Sequence, residues 1–301
     1  MRKYPLKQQI GNGAYTAIVT PMINGVVDKK SLVNLIEYQI KNGITGIVPC
    51  GTTGESATLS FEEQTQVVEL TIKTVAGRVP VIAGAGASST AEAVELTRTM
   101  EYLGADAVLS VTPYYNRPSQ EGIYQHFKAV AGIGIPIVLY NVPTRTGVDM
   151  LPETVRCLAE IPSIIGIKEA KDDIDRIKEL VNTCPKNFLV FSGNDSLALS
   201  TILVGGNGVV SVASNIVPDE ITTMIKFALD NCSVAGDILH TKFFPLMEAM
   251  FCYPSPAPAK KALVLMGIIS SDSLRLPMTQ MDNKSFSHLA SVLNDLGLLR
   301  K

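Results

Sequence analysis

The feature that most constrains this chain is a repeated alternation of short β-like runs with amphipathic helical stretches. Strand-like runs fall at 15–20, 46–49, 79–83, 107–111, 135–140, 164–168, 188–192 and 209–212. Helical spacing of apolar residues falls between them at 31–42, 61–76, 90–103, 120–131, 152–160, 172–182 and 195–203, and an eighth helix follows at 218–231. Two helix starts carry their own caps: Ser60 with Glu63 three residues on forms a capping box, and Ser119 precedes Gln120. Strands that alternate with helices pair in parallel under a helical cover. Eight such units favour an α/β architecture closed as a (β/α)8 barrel over an open doubly wound sheet.

Beyond residue 231 the alternation stops. Only helical periodicity remains, at 235–253, 258–269 and 285–298. The expected organisation is a catalytic TIM-type barrel over 1–231 and a helical region over 232–301 packed on it, with no low-complexity linker between them. The 301 residues are 46% hydrophobic, enough for a large core. A formal net charge of −2 without runs of like charge gives no surface for nucleic acid or anionic lipid. No apolar stretch approaches the roughly 18–20 residues of a membrane helix, and Met1-Arg2-Lys3-Tyr4-Pro5 lacks the apolar core of a signal peptide. The five cysteines are odd in number and form no C-x-x-C pair, which fits a reducing cytoplasm rather than a disulfide framework. His126, His240 and His288 are too scattered in sequence to suggest a metal site or a histidine triad. Gly84-Ala85-Gly86 begins a dinucleotide fingerprint, but Ser89 stands where its third glycine belongs.

In a barrel of this kind the chemistry sits at the carboxyl ends of the strands. The sixth strand, Ile164-Ile165-Gly166-Ile167, ends in Lys168. Removing water from an amine disfavours its charged form, and a neutral amine is a nucleophile able to form a Schiff base with a carbonyl. A lysine that merely snorkels from a strand end would give the same local pattern. What distinguishes Lys168 is its company on that rim. Gly51-Thr52-Thr53-Gly54-Glu55-Ser56 follows the second strand, Pro113-Tyr114-Tyr115-Asn116-Arg117-Pro118 the fourth, Tyr140-Asn141-Val142-Pro143-Thr144-Arg145 the fifth, and Ser192-Gly193-Asn194-Asp195 the seventh. Each segment alone reads equally as a turn or a packing aromatic. Together they bring an amine, hydroxyls and a guanidinium to one place: a set able to form an imine, move protons and hold a carboxylate.

At Gly51-Thr52-Thr53-Gly54-Glu55, Tyr140-Asn141-Val142-Pro143 and Gly166-Ile167-Lys168-Glu169 the sequence resembles the dihydrodipicolinate synthase/N-acetylneuraminate lyase family. The resemblance runs over essentially the whole chain. Tyr114–Pro118 and Tyr140–Gly147 resemble the condensing branch of that family more than its sugar-acid lyases. The resemblance implies a cofactor-free reaction of pyruvate with L-aspartate 4-semialdehyde, the first committed step toward diaminopimelate and lysine. It implies that Lys168 forms the Schiff base and that Tyr140, Thr52 and Tyr115 form a proton relay, with Tyr115 reaching a neighbouring subunit. A homo-oligomer follows, expected as a tetramer made of two tight dimers. Thr53 is expected on the pyruvate carboxylate, Arg145 on the semialdehyde carboxylate, and Gly193 and Val210 with their backbone close to the substrate. The competing readings are a lyase of N-acetylneuraminate or a 2-keto-3-deoxy sugar acid, and a barrel that binds pyruvate or an amino acid without turnover.

Many members of the family are inhibited by lysine. The pocket positions fall here on Ser56, Ala57, Phe61, Gln64, Ser88, Glu92 and Tyr114. Phe61 and Gln64 stand where lysine-sensitive members often carry histidines, and Ser88 where they often carry asparagine. The expectation is weak or absent feedback, because several polar partners of the amino acid are missing.

Overall fold

The computed structural model describes residues 8–299. The opening Met1–Pro5 segment and the last two residues of the helical tail therefore lie outside the described residues. Eight parallel strands form one sheet: β1 Gly13–Ala17, β2 Gly46–Val48, β3 Ile82–Gly84, β4 Ala107–Val111, β5 Ile137–Asn141, β6 Ile164–Glu169, β7 Leu189–Ser192 and β8 Gly208–Ser211. Their hydrogen-bonded order is β2-β1-β8-β7-β6-β5-β4-β3. A parallel bridge between Ile47 and Val81, with the Ile47 amide donating to the Pro80 carbonyl at 3.0 Å, joins the two ends. The sheet closes, and the expected (β/α)8 barrel is what forms.

Apolar side chains divide into two cores because a strand turns alternate residues to opposite faces. One core lies between sheet and helices and includes Ile47, Val108, Leu139, Ile167 and Val190. The other fills the barrel and includes Tyr15, Leu109, Val138, Tyr140, Phe191 and Val210. Tyr15 packs edge-on against Phe191 at 5.4 Å and donates its hydroxyl to the Gly11 carbonyl at 2.8 Å. Gly46 makes room for it: a Cβ there would stand 2.5 Å from the Tyr15 ring. The interior is thus packed with side chains below the mouth, as such barrels require.

Helix ends follow the capping residues. The Ser60 hydroxyl accepts from the Glu63 amide at 3.2 Å while the Glu63 carboxylate accepts from the Ser60 amide at 2.9 Å, and Ser119 accepts from the Gly122 amide at 3.2 Å. Four small elements go beyond the sequence expectation: a two-stranded hairpin, Met22–Ile23 with Val26–Val27, a single helical turn, Pro143–Thr146, and the 3-10 turns Ser56–Thr58 and Ala213–Asn215. The helix expected to start at 195 begins as a 3-10 turn, Asp195–Leu197, before Ala198–Leu203. Helices Ser233–Ala249, Ala257–Leu265 and Asn283–Asp295 follow the barrel. Among the described residues no helix is long and apolar enough to cross a membrane.

Candidate active site

Strand pairing sets the centre of the mouth. Tyr140 and Lys168 are register partners on β5 and β6, and Lys168 is also paired with Phe191 on β7. Ile167 faces the helices, so the next residue, Lys168, faces the interior. Lys168 is 5% exposed, and its Nζ lies 4.2 Å from the centroid of the Tyr140 ring. The pair forms part of the wall of a cavity of about 310 Å³ that opens at the carboxyl ends of the strands. Thr52, Thr53, Arg145, Gly193 and Asp195 line the same cavity.

Each loop is fixed locally. Thr53 is buried behind exposed Thr52, in a turn closed by the Glu55 amide on the Thr52 carbonyl at 3.0 Å. Gly193 donates its amide to the Glu169 carbonyl at 2.6 Å, and a Cβ at that position would lie 2.5 Å from the Ala170 side chain. Arg145 sits on the Pro143–Thr146 turn with an exposed side chain at the rim. Val210 is buried in the interior core, and the residue of that segment that reaches the cavity wall is Val212.

Two buried carboxyls flank the lysine. Asp195 accepts from the Val212 and Ala213 amides at 2.9 and 3.0 Å and from the Ser211 hydroxyl. Burial raises the pKa of this group, against those hydrogen bonds and the positive charge of Lys168. Glu169 accepts from Asn141 at 3.0 Å and from the Lys171 amide at 2.9 Å, with the Arg176 guanidinium 3.5 Å away. Burial raises its pKa also, opposed chiefly by the Lys171 and Asn141 hydrogen bonds. Asn141 further accepts from the Met150 amide at 3.0 Å, so this cluster pins both ends of the segment that carries Arg145.

Thr52 marks the boundary to a second, outer cavity of about 710 Å³. Ser56, Ala57, Gln64, Glu92, Tyr114 and Tyr115 line it. Burial, with the Glu92 charge, raises the Tyr114 pKa, opposed by a backbone hydrogen bond from Ser88. Phe61 is 37% exposed on the neighbouring helix. Tyr115 is 94% exposed, with φ +74°. A left-handed backbone is costly for a bulky residue, and the ring is held out from its own chain.

The structure thus gathers Lys168, Tyr140, Thr52, Thr53, Arg145 and Gly193 at one cavity and sets Tyr115 outside it. It adds a wall that sequence reading missed: Met247, Glu248, Phe251 and Ser255 from the C-terminal region. Among the described residues no group of three or more His, Cys, Asp and Glu side chains is arranged to hold a metal ion.

A closed (β/α)8 barrel with a buried lysine under a tyrosine ring at its carboxyl mouth defines a narrow class of barrel protein. The chain matches the model of the dihydrodipicolinate synthetase family over residues 11–296, and it belongs to that family. It is 53% identical to a 4-hydroxy-tetrahydrodipicolinate synthase of Desulfotalea psychrophila, over 96% of this chain and 97% of the relative. A chloride-inhibited dihydrodipicolinate synthase from Acinetobacter baumannii, solved in complex with pyruvate, superposes with a TM-score of 0.94 at 44% identity, covering 96% and 100% of the two chains. A monomeric dihydrodipicolinate synthase variant superposes equally well, with a TM-score of 0.94 at 42% identity over 96% and 98%.

Proposed function

We propose that the chain is a 4-hydroxy-tetrahydrodipicolinate synthase, condensing pyruvate with L-aspartate 4-semialdehyde through a Schiff base on Lys168. The observation that carries the reading is Lys168 itself: a buried amine at the barrel mouth, 4.2 Å from the Tyr140 ring centroid. The Lys168 amine adds to the ketone of pyruvate, and loss of water gives the imine. The protonated imine is the electron sink, so no cofactor is required. Loss of a methyl proton gives the enamine, whose carbon attacks the aldehyde carbon. The amino group of the adduct then attacks the imine carbon, closes the ring and releases Lys168.

Proton movements need a path because a free phenol titrates near ~10. Tyr140, Thr52 and Tyr115 supply that path as a chain of hydroxyls. Tyr115 acts in the site of a neighbouring protomer. Its 94% exposure in its own chain and its left-handed backbone support this reading, in which the working unit is at least a dimer and, by family resemblance, a tetramer. Thr53 binds the pyruvate carboxylate, and the backbone at Gly193 and Val210 lies against the bound substrate. Arg145 binds the semialdehyde carboxylate with two parallel hydrogen bonds, which favours this aldehyde over a sugar-acid product. The compartment is the cytoplasm, where the pathway to diaminopimelate and lysine runs.

The test is a direct assay of the purified chain with pyruvate and L-aspartate 4-semialdehyde, beside cleavage assays with N-acetylneuraminate and 2-keto-3-deoxygluconate. Turnover confined to the condensation supports the reading. Faster cleavage of a sugar acid, or no turnover of any of them, removes it.

A further inference from the structure

A buried ion pair joins the C-terminal region to the turn that carries Thr52 and Thr53. Glu55 is 4% exposed and Lys260 is fully buried, and the Lys260 ammonium bonds the Glu55 carboxylate. The ammonium has a second acceptor in the Ser273 carbonyl at 2.8 Å, and the other Glu55 oxygen accepts from the Arg275 amide at 3.4 Å. Both carboxylate oxygens are therefore held by residues from beyond the barrel. Glu55 itself has φ +57°, an unfavourable backbone for a residue with a side chain. Its amide closes the turn on the Thr52 carbonyl, and the neighbouring Gly54 carbonyl accepts from the Thr20 hydroxyl at 2.7 Å. Arg275 grips the segment again further along: its guanidinium donates to the Thr58 carbonyl at 2.6 Å and pairs with Glu63.

A buried ion pair is a weak source of stability, because desolvating two charges consumes most of what their attraction returns. Its distinct property is direction: the carboxylate is satisfied only where both donors reach it. We propose that Lys260 is a positioning residue, fixing through Glu55 the turn that presents Thr52 and Thr53 to the Lys168 cavity. The C-terminal region then does two things at the site: it supplies part of the cavity wall through Ser255 and sets the Thr52–Thr53 turn through Lys260. This inference rests on the roles proposed above for Thr52 and Thr53.

The experiment compares wild type, Glu55→Gln and the double variant Glu55→Gln/Lys260→Met. Removing both charges leaves no unpaired ion, so the double variant is expected to melt close to wild type. Glu55→Gln keeps the shape and one acceptor. With melting unchanged, the double variant should show a pyruvate KM raised at least ~10-fold, slower formation of the borohydride-trapped pyruvate adduct and an unchanged KM for the aldehyde; Glu55→Gln should fall between. A merely structural pair would lower the active fraction and leave both KM values alone. Wild-type kinetics in a folded double variant, proportional changes in all parameters, or failure of both variants to fold would each overturn the proposal. Wild-type protein that forms no adduct with pyruvate would instead overturn the function on which it rests.

Discussion

Lys168 and Tyr140 face each other across register-paired strands, with the lysine Nζ 4.2 Å from the tyrosine ring centroid. The register makes the relationship rigid, since a slip of one residue would turn one side chain out toward the helices. Borohydride reduction in the presence of pyruvate should therefore attach one reduced pyruvate to Lys168, located by peptide mass spectrometry, and Lys168→Ala should form no adduct. Tyr140→Phe keeps the ring and removes the hydroxyl. It should still form the adduct while kcat falls ~10²-fold or more, the usual loss when an acid–base group is removed. Adduct on another lysine, or full activity in Tyr140→Phe, would contradict the assignment.

Arg145 lines the same cavity as Thr53 but is carried by a different loop, the Pro143–Thr146 turn. Losing charge-assisted hydrogen bonds worth roughly 1.5–3 kcal/mol should raise the aldehyde KM about 10- to 100-fold in Arg145→Ala. The pyruvate KM should not move. Steady-state kinetics with each substrate varied separately checks this, and an equal rise in both constants would place Arg145 elsewhere in the reaction.

The barrel was legible in the sequence because parallel strands buried on both faces leave nearly unbroken apolar runs. All eight runs became strands with shifted ends: β1 spans Gly13–Ala17 rather than 15–20, β3 starts at Ile82 rather than 79, β5 spans Ile137–Asn141 rather than 135–140, and β8 ends at Ser211 rather than 212. The hairpin Met22–Ile23 with Val26–Val27 has strands too short to show a period. Pro143–Thr146 has no signature in the sequence because one helical turn has no repeat to detect. At the site, Lys168, Tyr140 and Arg145 were legible because strand order assigns them to one rim. Phe251 and Ser255 were not: helical periodicity reports that a face is covered, never by what. Lys260 and Glu55 lie 205 residues apart. The pattern around Lys260 gives no signal to separate it from its neighbour: Lys261 follows it directly in Ala257–Ala262, and only Lys260 is buried.

The outer cavity holds most of the positions at which the family resemblance implies a lysine site. Gln64 already donates its side-chain amide to the Ser56 and Leu59 carbonyls at 3.2 and 3.3 Å. The Ser88 carbonyl is engaged by Asn116 at 3.0 Å. Glu92 and Tyr114 remain on the wall for an amino-acid ligand, with fewer polar partners than a lysine-sensitive site offers. Lysine at about 1 mM should therefore leave the initial rate close to its uninhibited value, since a few weak hydrogen bonds do not reach sub-millimolar affinity. Strong inhibition in that assay would reverse the expectation.

His126 gives a pH dependence of stability that is separate from the reaction. It is 3% exposed, with Nδ1 3.0 Å from the Thr90 hydroxyl, and burial pulls its pKa down from 6.5 to about 4. The unfolded chain takes up this proton near 6.5 and the folded chain only near 4. Stability from this group is therefore complete above 6.5, falls as the pH drops through that window, and stops changing below 4. The whole effect is about 3 kcal/mol. His126→Gln should show a flatter plot of Tm against pH between 6.5 and 4 than wild type, whatever its absolute Tm. Parallel plots would show that His126 does not carry the proton.

Tyr115 can be assigned to its site by complementation. If its hydroxyl serves the neighbouring protomer, a site needs Lys168 from one chain and Tyr115 from the other. Lys168→Ala and Tyr115→Phe are then each nearly inactive alone. Coexpressed, they form mixed dimers in which the Tyr115→Phe chain keeps its Lys168 and receives an intact Tyr115 from its partner. Random pairing across a two-fold interface restores one site in each mixed dimer, or about a quarter of all sites. If Tyr115 serves its own chain, no mixed dimer holds a complete site and activity stays at the sum of the two variants. Activity of the coexpressed pair, separated by differential tags, decides between the two. The 94% exposure of Tyr115 in a backbone conformation that disfavours it argues for restoration.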